Sequence, residues 1–589
     1  MNRREFLETL SVIGATSVVA GCSDGNDHGL VMGGEVAATA FSPSLSRGSQ
    51  VEIGGDADGD EELSVVAGKL PWDLDGHVLI VASVPTRDDT PLLTGEGVVY
   101  RISFNERGAR IKTRIIRTDD WYVAQQVKGT ADDFAILFDI AQYSPTYGAR
   151  NLANTALLPI MNGRLLATYD MGRPIELDPR TLHPVTPVGL QDSWRPSLDA
   201  GLFTMHFVTA HPAYDAKEQR VYAINYGLAP LAQFLRVMRW SGASEPEFFD
   251  VVDAQGKPVA LSMLGHQMSI TEHYVVILDG AFDVVGTTPP TQAPVYIVAK
   301  ASLTAGKPAV AKRIVIDREC THFLADYNDT GDRVRLLLMH HNGTNTGSRL
   351  KEGDVGFRSG KPIGGQFFRS GSDRNVVGRH EIHVPSGTVS SALLSNDSTW
   401  GVGLWGQDPR SWDKLGTAFY QSFGFNPDYL PARDAQKYAD YPFGANFARE
   451  VPLDLLPQDI IAPKLVHIDH EGMQDLQTYA FEKYTLASSP TFVPRKGRAT
   501  DDDGYILVTV AGPKRDELWV FDATDLQRGP LCKLSHAKLD FPFTLHSTWM
   551  PSLESHEPSY KVDRAEDYGK RINNLARDKQ QLARDALSI

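Results

Sequence analysis

The sequence predicts an all-β chain arranged as a β-propeller, and three observations carry that prediction. Short β-type runs dominate from about residue 66, among them Val78-Leu-Ile-Val-Ala-Ser-Val84, Val98-Val-Tyr-Arg-Ile-Ser-Phe104 and Ala156-Leu-Leu-Pro-Ile160. A unit of strand, Asp-containing turn and strand recurs in Pro174-Ile-Glu-Leu-Asp-Pro-Arg-Thr-Leu182, Leu465-Val-His-Ile-Asp-His-Glu-Gly472 and Leu518-Trp-Val-Phe-Asp-Ala-Thr-Asp-Leu526, with a looser copy at Val295–Leu303. The 51 glycines and 35 prolines suit the many turns such hairpins need. Hairpins recurring in this way point to radial repetition of small antiparallel sheets. A plain sandwich would need two or three copies to fill the chain.

A chain of 589 residues has room for two to four average domains, but all-β folds often spend such lengths on one. Hydrophobic content of 42% and charged content of 22% exclude a disordered chain. A net charge of -15 argues against a nucleic-acid partner. Three cysteines are too few for a disulfide framework or a thiolate metal cage. Cys320 and Cys532 are left as a possible pair whose proximity the sequence does not decide. No apolar run after residue 25 approaches the ~18 residues of a spanning helix.

In chain order, residues 1–22 read as an export signal. Paired Arg3 and Arg4 precede Phe6-Leu7, an apolar stretch follows, and Val19-Ala-Gly-Cys22 ends it. The arginine pair resembles a twin-arginine signal, and the ending resembles a lipobox with Cys22 as the lipidated residue. The expected location is periplasmic, membrane-anchored through Cys22. Residues 23–65 read as a flexible Gly-, Ser- and Asp-rich tether. The acidic tract Asp56–Glu62 within it lacks the glutamate a calcium loop requires and reads as a solvated linker. Residues 66–550 form the propeller. Residues 343–380, rich in Gly, Ser and Arg, are expected to make a long loop over one face. Residues 551–589 are a helical extension, since apolar residues at 572, 575, 576, 583, 586 and 587 have helical spacing.

Four of the seventeen histidines stand out by local sequence: His211 in Thr209-Ala-His-Pro212, His266 before a turn and strand, His322 in Thr321-His-Phe, and His546 in Leu545-His-Ser-Thr-Trp549. The intervals from His211 to His266 and from His266 to His322 are 55 and 56 residues. In a propeller, similar spacing puts residues at equivalent points of neighbouring blades, facing the central axis. The four therefore read as one metal site. His340 and His341 rival His322 for the third position, and His206 reads as structural.

Several motifs in order carry a resemblance to the carotenoid cleavage oxygenase family over residues 70–550: Asn154-Thr-Ala156, Arg164-Leu-Leu-Ala-Thr-Tyr-Asp170 with Glu176–Leu182, Thr209-Ala-His-Pro212, Phe492-Val-Pro-Arg495 with Asp501-Asp-Asp-Gly504, and Leu545-His-Ser-Thr-Trp549. The resemblance implies a seven-bladed propeller with loops and helices capping the active-site face. It also implies an axial Fe(II) ion held by four histidines, which fall on His211, His266, His322 and His546. The implied activity is that of a dioxygenase cleaving an alkene bond of a carotenoid, apocarotenoid or stilbene-like apolar substrate with O₂ to give two carbonyl products.

The family's flanks differ here: His266 is followed by Gln267-Met, and after His322 only Tyr327 keeps the pattern. Three family glutamates that bond ligand imidazoles fall on Asp170, Ser489 and Tyr429. Such acceptors orient a ligating histidine, so their replacement motivates an alternative: a lipid-anchored propeller that binds an apolar ligand beside an eroded metal site. A calcium-dependent propeller hydrolase would need carboxylates and amides that the histidine set does not supply. Phe423, Phe425, Tyr429, Tyr438 and Phe443 are candidates for an apolar tunnel or, equally, for blade core.

Overall fold

Among the described residues, strand pairing resolves into two nine-stranded sheets, three four-stranded sheets and one of three strands. The computed structural model describes residues 52–55, 59–85, 93–137, 141–228, 232–280, 282, 291–341, 353–363, 370–407, 415–439, 449–554 and 560–589. The export signal with Cys22, and Phe443, lie outside the described residues. Each nine-stranded sheet holds two blades and each four-stranded sheet one, which makes a seven-bladed propeller.

The inner strands are Ala156–Ile160 in blade 2, Phe207–Val208 with Ala213–Asp215 in blade 3, Met268–Ile270 in blade 4 and His322–Ala325 in blade 5. Val402–Gln407 and Leu486–Pro494 serve blades 6 and 7. Blade 1 takes its inner strand, Thr544–Met550, from the C-terminal end and pairs it with Gly76–Val84 near the N-terminus. The ring is thus closed by hydrogen bonds between distant chain segments.

Gly76–Val84 shows why these runs are apolar without a break. Val78, Ile80 and Ala82 pack with Leu507 and Val520 of blade 7, while Leu79 and Val81 pack with Leu165 and Ala167 of blade 2. Alternate side chains leave opposite faces of a strand, and here both faces meet a neighbouring blade. Each such side chain, fully buried, contributes roughly 1.5–3 kcal/mol.

The propeller begins earlier than the sequence suggests. Glu61–Gly68 is a strand, not tether, and pairs with both Gly108–Ile115 of blade 1 and Cys532–Ser535 of blade 7. It bridges two outer edges that would otherwise expose unpaired backbone. The end of the acidic tract is anchored as well: Asp60 binds Arg101, and Glu61 binds Lys538 at 2.9 Å. Ahead of it, Ile53 is buried and its amide donates to Thr113 Oγ1 at 2.7 Å.

The interruption at 343–380 ends sooner than expected, because Val376–His383 is the third strand of blade 5. One described part of it, 353–363, joins segments around 425–438 and 451–461 in a small apolar cap built from Trp400, Phe425, Leu430, Ala435 and Leu456. Gly424 enters this cap with φ +76, and a Cβ there would lie 2.2 Å from the Ile461 carbonyl oxygen.

The described helices are α1 (Asp119–Val127), α2 (Ala432–Lys437), α3 (Arg564–Ile572) and α4 (Arg577–Leu587). The C-terminal extension is therefore two helices, broken at Asn573–Ala576. It packs on α1 through Val123, Val127, Tyr568, Ile572, Ala583 and Leu587. A buried ion pair, Arg173 to Asp567 at 2.7 Å, ties it to blade 2. Cys320 and Cys532 are both free and belong to different core clusters, so they do not pair.

Candidate metal centre

Four inner strands deliver one histidine each. His211 sits between the two short inner pieces of blade 3, His266 just before the inner strand of blade 4, His322 opens that of blade 5, and His546 lies within that of blade 1. One nitrogen from each lies within 4.8 Å of the others. His211 Nε2 is 3.2 Å from His266 Nε2, which is 3.1 Å from His322 Nε2. The His211 and His546 ring centroids are 4.2 Å apart with planes at 81°.

Asp170 decides the tautomer of the buried histidine. His266 Nδ1 lies 2.8 and 3.0 Å from the two Asp170 oxygens. A carboxylate accepts, so Nδ1 carries the proton and Nε2 turns its lone pair toward the centre. That lone pair faces two other Nε2 atoms and cannot accept a good hydrogen bond from both. A cation at the centre resolves the conflict. Metal–imidazole bonds of about 2.1 Å at right angles place adjacent nitrogens about 3.0 Å apart, against about 3.4 Å in a tetrahedron. The observed 3.1 and 3.2 Å fall within that range, so these three ring nitrogens could bind a single ion. Burial, then the neighbouring histidines, holds His211, His322 and His546 well below the usual imidazole pKa. They are thus in the neutral form that binds metal.

The rival histidines lie elsewhere. His340 Nε2 pairs with His380 Nε2 at 2.9 Å and its Nδ1 with the Glu319 carbonyl, and neither His340 nor His341 belongs to the four-membered group. His206 is buried, bonds Thr204 Oγ1 at 2.5 Å, and is pushed down to about 3 by burial.

Of the three expected carboxylate positions, Asp170 alone is seen to bond a ligand ring. Ser489, strained at φ 51, donates to the Leu545 carbonyl at 2.8 Å, steadying the backbone beside His546 rather than its ring. Tyr429 lies in the cap, in the 3-10 turn Pro427–Tyr429, with its backbone bonded to Asn426 and Ser370.

Phe282 is a neighbour that the sequence did not single out. Its ring centroid is 4.3 Å from that of His266 and 5.7 Å from that of His322. Among the tunnel candidates, Phe425 is cap core, Tyr438 is buried, and Phe423 packs on Phe543 at 5.9 Å.

The fold and the site together define a propeller metalloprotein with an all-histidine centre. The chain belongs to the RPE65 (retinal pigment epithelial membrane protein) family, whose model matches residues 55–551. The family is iron-dependent, and the four-histidine group fits an iron site.

Among solved structures, a variant of the Synechocystis apocarotenoid oxygenase superposes with a TM-score of 0.60 at 18% identity, covering 86% of this chain and 98% of that one. The lignostilbene dioxygenase of Pseudomonas brassicacearum gives the same four values. At such identities the likeness speaks for the fold. Among curated relatives, isoeugenol monooxygenase of Pseudomonas nitroreducens is 37% identical over 87 residues, and the apocarotenoid-15,15'-oxygenase of Synechocystis is 33% identical over 88. Each match spans 14% of this chain and 17% of the relative's length.

Proposed function

We propose that the protein is an Fe(II)-dependent oxygenase that cleaves a carbon–carbon double bond of a carotenoid, apocarotenoid or stilbene-like substrate with O₂, giving two carbonyl products. The observation that carries this reading is the convergence of His211, His266, His322 and His546 from four inner strands onto one point. Bound there, Fe(II) supplies a site for O₂ and the electrons that activate it. Imidazole suits Fe(II), and His211, His266, His322 and His546, all neutral, would hold the ion without cancelling its 2+ charge.

The chain's own part is binding and orientation. Asp170 holds His266 in one tautomer. Phe282 lays an apolar ring against His266 and His322, an apolar surface beside the centre for an alkene to rest on. The names of the relatives, which span isoeugenol, apocarotenoid and lignostilbene, support an apolar alkene as substrate class.

The test is aerobic incubation of the anaerobically Fe(II)-loaded protein with an apocarotenoid, a stilbene and isoeugenol in turn. Carbonyl products carrying label from ¹⁸O₂ are expected for one class. Iron-loaded protein that cleaves none of the three contradicts the reading. We further propose export with a lipid anchor at Cys22. In a bacterial host, Cys22→Ala is expected to move the protein from the membrane fraction to the soluble fraction, and no shift would contradict the anchor.

A further inference from the structure

The strands that carry His266 and His322 belong to different sheets, and no ladder of backbone hydrogen bonds joins them. A side chain does. Gln267 Nε2 donates to the Phe323 carbonyl oxygen at 2.5 Å, and Gln267 Oε1 accepts from the Phe323 amide at 2.9 Å. Gln267 directly follows His266 and Phe323 directly follows His322, so one amide ties the two backbones immediately beside both histidines. It acts as a missing rung between the strands, offering one donor and one acceptor as a peptide group does.

The neighbouring junction needs no such rung. There the backbones meet directly: His211 N donates to His266 O at 3.1 Å and Met268 N to His211 O at 3.4 Å, with Thr209 Oγ1 adding a bond to His266 O at 2.8 Å.

We propose that Gln267 is a positioning residue of the metal centre, one that sets the separation at which His266 and His322 reach a single ion. The proposal rests on the metal-centre reading given above. The two Nε2 atoms stand 3.1 Å apart, and a site of this kind tolerates only about 0.5 Å of error. Blades 4 and 5 are joined again at the far end of these inner strands, where Glu272 N donates to Tyr327 O at 2.7 Å and Thr271 and His273 bond Asp329; beside the two histidines the link is Gln267. An amide is the group that fits. A carboxylate accepts from the Phe323 N–H but turns its second oxygen on the Phe323 carbonyl, and Asn is one methylene too short.

The fold supplies its own control. Gln477, on the outer strand Gln474–Ala480 of blade 6, makes the same two-ended contact, donating to Thr524 O at 2.6 Å and accepting from Leu526 N at 2.8 Å. It lies between no ligands.

Full-length wild type, Gln267→Ala, Gln267→Glu and Gln477→Ala are stripped of metal, followed by thermal unfolding, and titrated with Co(II) while the visible ligand-field bands are recorded. Gln267→Glu keeps the side chain's size and serves if Gln267→Ala does not fold. All three variants are expected to melt below wild type. The Gln267 variants alone are expected to lose about 10–100-fold in Co(II) affinity and to shift the ligand-field bands. Wild-type affinity and bands in both Gln267 variants would overturn the proposal and leave Gln267 a purely structural link. Wild-type protein that binds no Co(II) would overturn the metal-centre reading itself, and this proposal with it.

Discussion

Asp170→Ala isolates the group that orients the buried ligand. In the wild type, the Asp170 carboxylate accepts a hydrogen bond from His266 Nδ1–H, with its oxygens at 2.8 and 3.0 Å. Removing it has two separable effects. The His266 N–H loses its acceptor inside the protein, which costs about 1–3 kcal/mol of metal-free stability. The imidazole is also free to rotate or change tautomer, and it loses basicity. Outer partners of this kind are worth about 10–100-fold in metal affinity, or about 1.4–2.7 kcal/mol. Asp170→Asn keeps a carbonyl acceptor but no charge, so its loss should sit near the lower end. Competitive Co(II) titration of metal-free protein reads the affinity, and thermal unfolding of the same samples reads the stability. Wild-type Co(II) affinity in Asp170→Ala would refute the reasoning that this carboxylate presents His266 to a metal.

Other expectations follow from the same contacts. His211→Ala and His546→Ala should each leave purified protein with less than about a tenth of the wild-type metal content by elemental analysis, while His340→Ala should keep it, because His340 pairs with His380 instead. Asp567→Ala strands Arg173 in a buried site. Removing one partner of such a pair costs about 3–5 kcal/mol, so limited proteolysis should release the C-terminal helices earlier than in wild type. Burial depresses His77 to about 4, His206 to about 3 and His380 to about 4. With folded values below the unfolded 6.5, the unfolded chain binds more protons in acid. Stability is thus full above pH 6.5 and falls as pH drops toward about 4. Urea midpoints at pH 7.5 and 5.0 check this, and a midpoint unchanged or higher at pH 5.0 would contradict it.

The histidines were legible because a propeller repeats. Intervals of 55 and 56 residues carry each to the same point of the next inner strand. Asp170 was legible through its motif: it directly follows the strand Arg164–Tyr169, and its carbonyl accepts the Val208 amide at 2.9 Å. Phe282 and the clasp of Gln267 were not legible, because each depends on which inner strands become neighbours, and no local pattern encodes that. The first five residues of Glu61–Gly68 were read as tether for a related reason. The strand buries Leu63 alone among its residues and is held by backbone pairing to Ser535 and its neighbours, so its side chains carry little apolar signal. The helical spacing of the C-terminal extension did not show the break at Asn573, where the chain caps α3 before α4 begins.

Anomalous diffraction at the iron edge, from crystals of Fe(II)-loaded protein, tests the central claim most directly. One iron per chain is expected on the propeller axis, within bonding distance of one ring nitrogen from each of His211, His266, His322 and His546, with no carboxylate bound to it. Iron placed elsewhere, or held by Asp170 or by fewer than four of these histidines, would contradict the account.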